Sequence, residues 1–208
     1  MSPNVGLREQ KRRRTKQALV TAALRLFSEK GYDRTTVAEI ATAAEVSYAT
    51  FFNYFTAKDE VIFADDDLYD DLLAEVFAVH DPQERPADLL LRAMRHLSRA
   101  TVWSFPLEHE FTRLRARLIA EVPALRAAAL LRNAALQQRL ADALLRAYPH
   151  EIDALHAAAL TGALVGAVDA VLNSAVPADS SPESIAAVVD DACRISLRGH
   201  LSNTPVTP

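Results

Sequence analysis

At 208 residues, half of them apolar, the chain has enough material for one large or two small globular domains with a sizeable core. The single cysteine, Cys193, excludes an intrachain disulfide and a thiolate metal cluster, while five glycines and few alternating β-branched stretches point away from sheet and toward an all-α fold. The net charge of −4 is unevenly spread: residues 1–58 hold ten Lys/Arg against five Asp/Glu and the remainder thirteen against twenty-two, so a basic head on an acidic body is expected to meet a polyanion head first.

The start, Met1 to Arg14, is polar and basic without an apolar h-region, so it does not read as a secretory signal. Within it Met1 to Leu7, with Pro3 and Gly6, reads as mobile. Arg12, Arg13 and Arg14 are a charge run whose alternative reading is a solvated tail. From Lys11 to Lys30 a helix is expected, because Leu19, Ala22, Ala23, Leu26 and Phe27 form one apolar stripe, and Gly31 supplies a C-terminal cap. Tyr32-Asp33-Arg34 is then a connector.

The stretch Thr35 to Lys58 reads as two short helices joined by a tight turn. Thr36-Val37-Ala38-Glu39 has capping-box spacing, in which a hydroxyl and a carboxylate satisfy two amide donors at a helix start. Val37, Ile40, Ala41 and Ala44 recur at helical spacing, and Val46, Phe51 and Phe55 can close over that face. Ser47 stands where a second cap is needed. Tyr48, Ala49, Thr50, Asn53 and Tyr54 are left facing outward or oblique to the core. Small, hydroxylic and amide side chains there suit a helix that enters a DNA major groove, and beside it the Arg12–Arg14 run weighs toward DNA, with Arg14 as a contact.

ALRLFSEKGYDRTTVAEIATAAEVSYATFFNYFTAKDEV resembles the N-terminal domain of the TetR family of transcriptional regulators over about residues 14 to 62. The resemblance implies that Thr36, Ser47, Thr50, Tyr54 and Lys58 hold phosphates, and that Tyr48, Ala49 and Asn53 lie near base edges. Three positions depart from the family's pattern. Glu45 stands in the turn where glycine is frequent, at a cost of roughly 1 kcal/mol if that residue is left-handed. Phe52 replaces a frequent tyrosine and has no hydroxyl to give a phosphate. Ala49 stands where glycine is often found, and its methyl either touches a thymine methyl or excludes a close base approach.

Beyond Lys58, Val61, Ile62, Leu68, Leu72 and Val76 continue an apolar pattern that predicts one long helix connecting head to body. Asp65, Asp66, Asp67, Asp70 and Asp71 read as its solvated face rather than a metal site. A break at His80 to Pro86 precedes helices expected from Leu89 to about Trp103, Leu107 to Ile119, Pro123 to Tyr148, Ile152 to Ala175 and Glu183 to Leu201. The last two are separated by Val176 to Pro182. Asn203 to Pro208 reads as disordered.

Ala158, Gly162, Gly166 and Ala170 recur every four residues, leaving one helical face nearly without side chains. Interior glycines cost about 1 kcal/mol each, so close helix approach is the expected compensation, either within the chain or to a second subunit. The TetR resemblance implies the second, a homodimer paired through the last two helices. It also implies that the middle helices enclose an effector pocket, for which Met94, Leu97, Trp103, Phe105, Phe111, Leu114 and Leu118 are the candidate lining. The expected architecture is an N-terminal three-helix helix-turn-helix DNA-binding domain over residues 1–57. A C-terminal helical effector-binding and dimerisation domain follows over 58–202, about nine helices in all.

The function expected is a non-enzymatic, homodimeric repressor released from a palindromic double-stranded operator by a small lipophilic effector. No cofactor, metal or membrane partner is expected, since the longest apolar run, Ala157 to Val168, is short of the roughly 18 residues a span needs. A cytoplasmic location follows. The alternatives are a DNA-organising protein of the same fold without an effector, and an enzyme using Cys193 with one of six histidines, for which no motif sets the pair.

Overall fold

The computed structural model describes residues 3–81, 83–99, 110–174 and 182–200, and all regular structure among these is helical. In chain order the elements are α1 (Pro3–Lys30), α2 (Val37–Ala43), α3 (Tyr48–Phe51), a 3₁₀ segment (Lys58–Phe63), α4 (Asp66–Ala78), α5 (Pro86–Arg99), α6 (Glu110–Glu121), α7 (Pro123–Ala147), α8 (Ala154–Ser174) and α9 (Pro182–Ser196). They divide into two compact units.

The first unit gathers α1, α2, α3, the 3₁₀ segment and α6, so it extends past residue 57 and takes in an element from much later in the chain. Its core is Leu19, Val20, Ala23, Leu24 and Phe27 from α1, closed over by Ile40, Phe51, Phe55 and Ile62, with Phe111, Leu114 and Leu118 of α6 packed into the same cluster. α1 starts at Pro3, well before Lys11. Proline suits a first helical position because its missing N–H is an orphan donor there anyway. The helix ends at Gly31, whose φ of +87° is the left-handed geometry of a C-terminal cap and whose N–H reaches Phe27 O at 3.0 Å.

The single long helix expected after Lys58 is two elements instead. Val61, Ile62, Ala64 and Asp65, at the end of the 3₁₀ segment and in the turn after it, are all buried. A 3₁₀ turn eclipses i with i+3, so 61 with 64 and 62 with 65 fall in two inward rows. Asp65 therefore leaves the solvated face predicted for it: its Oδ2 accepts from Arg115 Nη1 of α6 at 2.9 Å, inside the first unit. Asp70 is exposed and pairs with Arg139 at 2.9 Å.

In the second unit α8 and α9 pack on each other and α9 on α5. Leu89, Leu90, Ala93 and Leu97 of α5, Ala157, Leu164 and Val165 of α8, and Ala192, Cys193 and Leu197 at the end of α9 are buried. Arg95 of α5 makes a bidentate pair to Asp190 of α9, Nε to Oδ1 at 2.5 Å and Nη2 to Oδ2 at 3.0 Å, which fixes the rotation of one helix against the other. Buried Thr161 returns its hydroxyl proton to Ala157 O at 2.9 Å, so it costs the core no unpaired donor.

Candidate nucleic-acid interface

The surface in question is assembled from local hydrogen bonds. At the start of α2, Thr36 Oγ1 accepts from Glu39 N at 3.3 Å while Glu39 Oε2 accepts from Thr36 N at 2.8 Å, the reciprocal capping box. Glu39 also pairs with Lys30. The bond from Lys30, then those from Thr36, hold the Glu39 carboxyl down at about 2. A depressed carboxyl stabilises the fold above its unfolded value of 4.5, and this contribution is lost as pH falls through about 2.

α2 ends in a complete Schellman motif. Val46 N bonds Ala41 O at 2.9 Å and Glu45 N bonds Thr42 O at 3.1 Å, with Glu45 left-handed at φ 57°. Val46 packs against the head's core, which sets the angle at which the chain enters α3. Ser47 then caps α3, its Oγ accepting from Thr50 N at 3.0 Å and sharing a 2.7 Å bond with Thr50 Oγ1.

These devices decide which side chains remain free to meet a ligand. Tyr48, Ala49 and Asn53 are exposed, Thr50 and Tyr54 half-buried, and Arg14 exposed on α1. The hydroxyls of Thr36 and Ser47 are engaged in caps, so their first role is to hold helix starts. Lys58 is more committed still: Nζ donates to Tyr32 O at 2.7 Å and Thr35 O at 3.0 Å and lies 4.0 Å from the centre of the Tyr32 ring. Partial burial pulls its ammonium below the usual lysine range. Two of its three donors thus tie the 3₁₀ segment to the α1–α2 connector. One residue outside the expected set stands out on this surface: Phe52, 43% exposed, beside Tyr48 at 58%.

The expected effector lining is distributed across the fold. Phe111, Leu114 and Leu118 lie in the first unit's core, Leu97 and half-buried Met94 on α5 of the second, and Trp103 and Phe105 fall outside the described residues. A separate open groove of about 570 Å³ lies on the head between α1 and the end of α2, with Arg14, Gln17, Thr21, Arg25, Glu29 and Glu45 on its walls.

On α8, Ala158, Gly166 and Ala170 are exposed and Gly162 partly so. A Cβ added at Gly162 or Gly166 meets nothing within 4 Å. The intrachain neighbour expected as one reason for these glycines is therefore not above them. The stretch Ala154–Leu172 is apolar enough by length and composition to cross a membrane, yet only 22% of it is buried.

Cys193 is fully buried, and burial, then Asp190, push its thiol up to about 12. A thiol held protonated in this way is a poor nucleophile. Among the described residues no group of three or more His, Cys, Asp or Glu is placed to hold a metal ion.

Comparison with known proteins places this geometry. Residues 19–64 match the family described as bacterial regulatory proteins, tetR family, and residues 84–200, more than half of the chain, match the MftR C-terminal domain. The HTH-type transcriptional regulator TcmR of Streptomyces glaucescens is 39% identical over 90 residues, 43% of this chain and 40% of the relative. The curated relatives are each matched over less than half of their own length. Among solved structures, FadR of Thermus thermophilus, a TetR-family repressor in complex with lauroyl-CoA, shares the fold with a TM-score of 0.55 and 24% identity, over 93% of this chain and 98% of that one. The SmeT–triclosan complex shares it with a TM-score of 0.60 and 20% identity, over 93% and 96%.

Proposed function

Because this chain belongs to the TetR family of bacterial transcriptional regulators, we propose that it is a homodimeric repressor that binds a palindromic operator and is released by a small lipophilic effector. The observation that carries the DNA reading is the capped, exposed α3 on the basic head. Its start is fixed by Ser47 and its entry by the Schellman turn, so Tyr48, Ala49 and Asn53 are presented as a rigid set to a major groove. Phosphates are met by Arg14 on α1 and by Thr50 and Tyr54, with the helix-start atoms of Thr36 and Ser47 beside them and the third Lys58 donor at the edge.

The second copy is what covers α8. A helix 22% buried with open space over two glycines exposes an apolar face that a soluble protomer does not leave bare. A partner helix can approach there closely, and two α3 helices then read half-sites about one turn apart. A membrane is the poorer cover, since Asp169 within the apolar window bonds Asn133 of α7 at 2.8 Å and the opposite side of α8 packs on α9. With DNA as its target the protein acts in the cytoplasm.

For the effector, the Leu- and Ala-rich α5 and α7 favour an apolar molecule over a sugar or nucleotide. Two fold relatives are named with lauroyl-CoA and triclosan, which share an apolar part, the dodecanoyl chain of the one and the chlorinated rings of the other. Affinity selection from a randomised duplex pool, followed by titration of the bound operator with lauroyl-CoA, free fatty acids and triclosan, tests the reading. A palindromic consensus and release by one of these ligands are expected. Binding without sequence preference, indifferent to every ligand, would favour a DNA-organising protein instead.

A further inference from the structure

We propose that Phe52 is a specificity-determining residue that reads a thymine of the operator through its 5-methyl group, an inference that rests on the reading that α3 meets the major groove. Phe52 follows α3 directly and is 43% exposed, whereas its neighbour Phe51 is fully buried. The two rings meet edge to face at 5.4 Å and 76°. On its other side Phe52 meets Tyr48 at 5.0 Å and 65°. Four residues apart on a helical turn, Tyr48 and Phe52 share one face.

The phenyl ring is therefore clamped between a core ring beneath and an exposed ring beside it, and is held out of the core. Within the protomer the two edge-to-face contacts hold the ring in place, yet 43% of it stays in water and is open to a ligand. Its chemistry limits what it can recognise. A phenyl ring offers no donor or acceptor to the hydrogen-bonding code of base edges, and the apolar group that distinguishes one base pair from another in the major groove is the thymine 5-methyl. Adjacent Asn53, exposed and carrying both a donor and an acceptor, can read a neighbouring base edge by hydrogen bonds. The same surface thus combines an apolar and a polar reader at consecutive positions. Contact with deoxyribose uses the same apolar edge and is blind to the methyl, and the experiment separates the two.

The full-length protein is used with an operator selected from a randomised duplex pool, in which each thymine of one half-site is replaced singly by deoxyuridine. Fluorescence anisotropy gives the affinity of each duplex. One position is expected where loss of the methyl weakens wild-type binding about fourfold, the factor for one buried methyl group. Phe52→Tyr is expected to keep that dependence and Phe52→Ala to lose it, with thermal melting confirming that each variant folds. If the alanine variant does not fold, Phe52→Leu replaces it, and its shorter side chain should weaken the dependence. A wild-type protein insensitive to every deoxyuridine, or a loss that persists unchanged in the alanine or leucine variant, overturns the assignment. Failure to select any sequence overturns the DNA reading itself, a different outcome.

Discussion

On the head, solvent meets large side chains on a short turn, Tyr48 and Phe52; on α8, between exposed Leu155 and Leu172, it meets the small side chains of Ala158, Gly166 and Ala170, with open space over Gly162 and Gly166. The head surface is held from within. Capping box, Schellman turn, Ser47 cap and the Lys58 clamp satisfy its backbone, and the rings of Tyr48 and Phe52 above pack edge to face on each other, Phe52 also on Phe51. The α8 surface has no such cover within the protomer, and in the proposed dimer a second copy supplies it. The proposed roles differ accordingly: DNA for the braced head surface, a second copy for α8.

If the proposed dimer forms through α8, head variants should act independently of protein concentration and α8 variants should depend on it. The largest effect is expected from Asp65→Ala, which strands Arg115 in a part-buried setting. Removing one partner of such a pair should cost about 3 kcal/mol, read as a urea-midpoint shift that is the same at every concentration. A shift that grows on dilution would instead tie Asp65 to assembly.

Gly162→Leu comes next. A Cβ at this position meets nothing within 4 Å, so the protomer's own helix should hold, while overpacking at a dimer seam should cost about 1–3 kcal/mol. Sedimentation over a dilution series is expected to show more monomer than wild type; an intact dimer at the lowest concentration would move the interface off this face.

Lys58→Met removes the donors that serve Tyr32 O and Thr35 O. A loss of about 1–2 kcal/mol follows, visible as a melting temperature lower by roughly 2–8 °C. Were Lys58 only a phosphate contact, melting in the absence of DNA would not change. The smallest effect is a gain: Glu45→Gly relieves a left-handed non-glycine and should stabilise the head by about 1 kcal/mol, with operator affinity kept. Reduced affinity would mean that the Glu45 side chain contributes to the surface as well as to the turn.

What could be read along the chain divides by sequence distance. The capping box, the Ser47 cap and the Gly31 cap all join atoms within three to four residues of each other, so residue type and spacing determine them and the sequence discloses them, whereas the left-handed turn at Glu45 is not announced by its residue type. The all-helical class follows from the same local periodicity, and the head's resemblance to its family is legible because its motifs are local. The Asp65–Arg115 pair spans 50 positions, the Lys58 bond to Tyr32 spans 26 and the Arg95–Asp190 pair spans 95. No periodicity announces these, because each depends on which elements the packed chain brings side by side. The same reason placed Phe111, Leu114 and Leu118 in the head's core rather than with Leu97, and left open space over Gly162. Local spacing determined the helices, their caps and the recognition turn, whereas only the tertiary structure decided which charges became buried and which apolar faces stayed uncovered, since desolvation is set by neighbours in space.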